Sequence, residues 1–209
     1  MNVARTLLAV LSVALAASYG TAKFGQQQAV QDRQAEVAAQ ILASSGVPGG
    51  LSVEAGGCGK GSVIIFVLPG EKAGAATKQI AATLDGVTSG DSTAGFSVWM
   101  GIRRIPQFLN TQIPATMLKF RAYNFMSIEP LLRLPAVQTS LQQMHLNQAL
   151  FSGSIMSPPA DEGLKQLQIK SGTLASALNQ IAASEGHGVW RYDEDQCGSK
   201  TFRLRWVVL

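Results

Sequence analysis

Few side chains in this 209-residue chain are of the kinds that do chemistry. His145 and His187 stand far apart, and neither belongs to a His-x-x-x-His or Cys-x-x-Cys pattern, so no metal-ligand spacing is present. His145 falls between Met144 and Leu146 near an expected helix end, where a surface or capping role suits it. His187 follows Gly186, an expected helix stop, where a cation complements the helix dipole. Asp193, Glu194 and Asp195 are the densest acidic group. Paired carboxylates can hydrolyse glycosidic bonds, but residues 192–198 have the composition of a turn between strands. No Gly-x-Ser-x-Gly occurs, so a serine nucleophile on a strained turn is not indicated. Residues 56–62 are glycine-rich like a phosphate-binding loop. Gly61, however, separates Lys60 from Ser62, and a strand is expected next where that loop needs a helix N-terminus. The residues therefore point to no catalytic group, no cofactor and no metal.

Two cysteines and two arginines remain. Cys58 and Cys197 either bridge or stand as two independent thiols. A bridge would close a loop of 139 residues, worth roughly 4–5 kcal/mol in chain entropy before strain. Arg203 and Arg205 alternate with Phe202, Leu204 and Trp206 in an expected final strand, which puts both arginines on one face. There they either form a solvated outer face or receive an anionic partner. On an edge strand they would also discourage unwanted pairing while leaving the edge open to a partner's strand, by β-augmentation.

The N-terminus carries the strongest single signal. Arg5 is the one charge in residues 1–22, an apolar run covers 6–17, and small residues follow, as in an export signal. The run is shorter than the roughly 20 residues of a membrane span, so cleavage is expected and no span remains after it. Removing residues 1–22 leaves a net charge of +3, spread in ones and twos, which does not indicate nucleic-acid binding. The expected location is exported, periplasmic or extracellular, and an oxidising compartment there permits a disulfide.

The elements that would position these residues follow in order. A helix is expected over 26–46, with Val30, Val37, Ile41 and Leu42 on one face. Residues 47–50 read as a turn or linker, 63–68 as a buried strand, and 71–84 as a helix with Ala73, Ala76, Thr77 and Ile80 inward. A loop over 87–95, a strand over 96–102 and a short strand over 105–109 follow. A strand over 117–125, a short helix over 128–134 and a second segment begun by Pro135 complete the first unit, 51–148. Residues 149–163, with Pro158 and Pro159, read as a linker. The C-terminal unit, 164–209, holds a strand at 167–170, a helix whose apolar face is Leu174, Ala177, Leu178 and Ile181, and two strands.

The two helix-centred units share features. Gln79-Ile80-Ala81-Ala82 matches Gln180-Ile181-Ala182-Ala183, and Val98-Trp99 matches Val189-Trp190, the pattern of an internal repeat. The expected class is α+β, with two related strand–helix–strand units. Residues 167–186, followed by Val189-Trp190-Arg191-Tyr192-Asp193, resemble the secretin and TonB short N-terminal domain. That resemblance implies a periplasmic α/β module that docks other envelope proteins without catalysis. It supplies no binding residues, and here the unit is C-terminal with no barrel or pore after it. A non-catalytic envelope interaction module is thus expected. The alternatives are a hydrolase assembled from dispersed groups, such as Asp193 or Glu194 with His145, and a subunit of a secretin- or TonB-type assembly.

Overall fold

The structure, a computed structural model, describes residues 30, 32–54, 62–67, 71–84, 87–92, 95–100, 105–121, 128–149, 164–185, 188–195 and 200–207. Cys58, Cys197, His187, the 1–22 segment and nearly all of the 149–163 linker lie outside them. The first half supplies α1 (32–44), β1 (Gly49–Glu54), β2 (Ser62–Val67), α2 (Glu71–Thr83), β3 (Val87–Ser92) and β4 (Gly95–Met100). The middle holds a 3-10 turn at Gln107–Asn110, β5 (Gln112–Ile113), β6 (Thr116–Arg121), α3 (Ile128–Leu132), α4 (Pro135–Met144) and β7 (Asn147–Gln148). The C-terminal part holds β8 (Leu164–Ile169), β9 (Gly172–Thr173), α5 (Leu174–Glu185), β10 (Val189–Asp195) and β11 (Thr201–Val207).

The class is α+β, as the sequence leads one to expect. A seven-stranded sheet in the order β3-β4-β2-β1-β10-β11-β7 joins the two helix-centred units through one parallel pairing, β1 with β10. Two small antiparallel pairs, β5 with β9 and β6 with β8, lie beside it. β8, which carries the strand expected before α5, therefore pairs with β6, whereas β2, which leads into α2, belongs to the large sheet.

Strand alternation gives this sheet two buried faces. Ile64, Phe66, Trp190, Tyr192, Phe202, Leu204 and Trp206 form an inner layer with Leu174, Ala177, Leu178 and Ile181 of α5, and with residues from α3, α4, β6 and β8. The apolar face expected for α5 is buried in full. On the opposite face Leu51, Val53, Val63, Ile65, Val67 and Val189 meet α1 and the Ala73, Ala76 and Ile80 face of α2. α1 ends in a Schellman motif. Gly46 adopts φ +62°, its N–H bonds Ala43 O, and Val47 N–H bonds Leu42 O.

Several expectations are corrected. The start of β1, Gly49-Gly50, reads as a breaker in the sequence yet lies at the centre of the sheet. Its glycines are there for clearance. A Cβ at Gly50 would stand 2.0 Å from two atoms of the Trp190 ring, and one at Gly49 would stand 2.5 Å from Phe66 O. The expected loop over 87–95 is mostly β3, held by antiparallel pairing to β4 in spite of its Gly, Ser and Asp content. The expected strand over 105–109 becomes the 3-10 turn, with Phe108 and Leu109 buried. Val30 is 55% exposed, and the inward face of α1 is built of Ala35, Ala38, Ala39, Ile41 and Leu42. The alanines let the helix lie close to the sheet.

The clearance at Gly50 is testable. Gly50→Ala drives a methyl into a fully buried ring, and overpacking of this kind costs about 1–3 kcal/mol. Urea unfolding should show that loss in its midpoint with an unchanged slope. An unchanged midpoint would mean that Trp190 is not pinned there.

Candidate functional site

Residues of one parity on β10 and β11 point away from the α5 layer. On β10 these are Val189, Arg191, Asp193 and Asp195; on β11 they are Thr201, Arg203, Arg205 and Val207. Antiparallel register sets Arg191 opposite Arg205, and Asp193 opposite Arg203. α1 covers β1 but stops short of covering β11. The space left is a cleft of about 730 Å³, walled by Asp32, Ala35, Glu36 and Ala39 of α1 and floored by Leu51, Val53 and the outward residues of β10 and β11.

Asp193, Glu194 and Asp195, expected in a turn, are the end of β10. Acidic residues are poor strand formers, but Asp193 is ion-paired and Glu194 is hydrogen-bonded. Arg191 Nε donates to Asp193 Oδ1 at 2.7 Å. The same guanidinium pairs with Asp32 Oδ1 of α1, 159 residues away in sequence. Its side chain is 12% exposed. Burial alone would lower the pKa of Arg191, but the charges and hydrogen bonds of Asp193 and Asp32 outweigh it and raise the value. Arg191 thus stays charged and ties α1 to the sheet.

Glu194 points to the other face. Tyr192 Oη donates to Glu194 Oε2 at 2.6 Å, within the layer that stacks Tyr192 on Phe202. The phenol is pushed well above its ordinary value of 10.0 by burial, then by the charge of Glu194 and the hydrogen bond to it.

Arg203 and Arg205 lie where the sequence puts them, exposed on the outer face of β11, and both line the cleft. Arg205 has Asp193 Oδ2 at 3.9 Å. Arg203 makes no ion pair among the described residues. His145 caps the C-terminus of α4 in the left-handed conformation, φ 53°, and is exposed; it does not line the cleft. Among the described residues no group of three His, Cys, Asp or Glu side chains is placed to hold a metal ion, and no helix is long and apolar enough to cross a membrane.

Asp32, Glu36 and Arg191 are the cleft residues that sequence reasoning misses. Arg191 has the parity of Asp193 and faces Arg205 across the ladder, a signal that depends on knowing that residues 193–195 are strand. The contribution of α1 has no local signature. Compared with protein-family models, curated proteins and solved structures, the chain matches none.

The raised Tyr192 pKa makes stability fall on the alkaline side. Between the unfolded value of about 10 and the higher folded value, the folded state holds a proton that the unfolded state has released. The contribution of Tyr192 is therefore complete below pH 10 and is lost as pH rises beyond it. Absorbance at 295 nm should show Tyr192, one of three tyrosines, ionising only as the protein unfolds. Tyr192→Phe should flatten the alkaline loss of stability. A variant with the same alkaline slope would contradict this.

Proposed function

We propose that this chain is an exported, non-catalytic interaction module of a bacterial envelope, and that it docks a partner protein on the outer face of β10 and β11 beside α1. The observation that carries this reading is the state of the charged groups in the cleft. Arg191 holds Asp32 and Asp193 in the cleft, and Tyr192 holds Glu194 on the opposite face, so these three carboxylates are engaged in structural contacts. Arg203 and Arg205 face solvent at the rim. The resemblance of residues 167–193 to the secretin and TonB short N-terminal domain, a docking module, points the same way.

Register supports the export reading through the cysteines. β1 and β10 run parallel and pair as far as Glu54 with Glu194. Cys58 follows four residues after Glu54, and Cys197 three residues after Glu194. Both cysteines thus follow the same end of adjacent strands, and we propose that they are bridged. Intact-mass measurement of the secreted protein should show the loss of two hydrogens, reversed by reductant. A mass corresponding to two free thiols would count against both the bridge and the oxidising compartment.

The docking reading is tested by a photo-cross-linking amino acid placed at position 203 in cells that export the chain. A discrete cross-linked protein, absent when the probe replaces exposed Lys119 on the far β6 ribbon, is the expected result. Equal labelling from both positions would remove the cleft face as the docking surface.

A further inference from the structure

The edge of β11 says what chemistry the partner carries. β7 pairs with Thr201 and Phe202 alone. Asn147 N–H bonds Lys200 O, and Ala149 N–H bonds Phe202 O, so even-numbered peptide groups of this strand face that edge. Leu204 follows in the same phase. Among the described residues no strand lies beside Arg203, Leu204 and Arg205 on that side.

The side chains flanking Leu204 decide what can pair there. A second copy laid antiparallel about Leu204 would set each of Arg203 and Arg205 opposite another arginine. Like charges directly opposite are destabilising, so the edge rejects its own kind. Asp193 and Asp32, which line the same cleft, hold Arg191. Arg205 has one carboxylate at 3.9 Å, and its side chain is 44% exposed.

We infer that β11 receives an extended strand of a partner protein in which two acidic residues alternate with β-branched apolar ones. The strand's backbone bonds the Leu204 peptide group. Its carboxylates meet Arg203 and Arg205 and close the open side of the cleft, and its apolar side chains continue the layer of Phe202 and Leu204. This inference rests on the docking reading above and adds the partner's chemistry and pairing mode to it.

The test uses the full exported chain and two fluorescent peptides, one with a Val-Glu-Val-Glu-Val core and one with Val-Lys-Val-Lys-Val. Anisotropy should show saturable binding of the acidic probe alone. Arg203→Glu with Arg205→Glu, both exposed positions, should weaken it at least about tenfold and admit the lysine probe, in line with the cost of opposing like charges. N-methylating alternate peptide nitrogens separates strand pairing from simple charge attraction. One phase of methylation should abolish binding, and the other should leave it intact. Equal binding by wild type and double variant, or equal tolerance of both methylation phases, would overturn the inference. If neither probe binds while position 203 still cross-links a protein, the acidic-strand inference falls and the docking reading stands.

Discussion

The indole of Trp190 lies flat on the backbone of Gly50, in a gap that no side chain could share. Phe66 of β2, on the far side of β1, stacks against it with ring centres 5.4 Å apart, and Trp190 Nε1 donates to Asn179 Oδ1 of α5 at 2.7 Å. Three elements from the two halves of the chain meet at this one ring. The glycine lets β1 and β10 pair at full closeness while a large aromatic still fits between sheet and helix. The hydrogen bond fixes how α5 is rotated, because Asn179 must face inward among apolar neighbours.

Closing one face in this way determines what is left on the other. With even-numbered residues of β10 and β11 drawn inward, Arg191, Asp193, Arg203 and Arg205 are obliged to face out. α1 covers the apolar outer face at β1, α2 lies over β3 and β4, and α1 reaches as far as Arg191. Beyond it the sheet continues with no helix above it among the described residues. The cleft is therefore a consequence of unequal coverage: among the described residues, seven strands share an outer face that only α1 and α2 occupy. Partner recognition, on the reading proposed here, uses the strip that packing leaves over.

What could be read from the sequence was what depends on near neighbours. The period of Leu174, Ala177, Leu178 and Ile181 defines the buried side of α5, and the alternation along β11 places Arg203 and Arg205 before any coordinates are known. The Pro135 start and the capping role of His145 are equally local. The misreadings have a common cause. Gly50 looks like a break because the ring that demands it comes 140 residues later. Asp193 and Glu194 look like a turn because their partners, Asp193 with Arg191 and Glu194 with Tyr192, show only when the strand is drawn. The Asp32 contact that completes the cleft spans more than three-quarters of the chain.

The single parallel ladder between β1 and β10 also dictates an order of events. β1 can form a hairpin with β2 as soon as both have emerged, but its other edge, at Leu51 and Val53, has no mate until residues 189–194 arrive. Pairing across so wide a separation is slow because the intervening chain must first be brought to closure. Throughout synthesis the first half therefore carries an unfinished, apolar seam along its edge strand β1. The C-terminal unit cut from the rest would bear the matching seam along Val189–Asp195. Each half thus ends in a strand edge that the other completes.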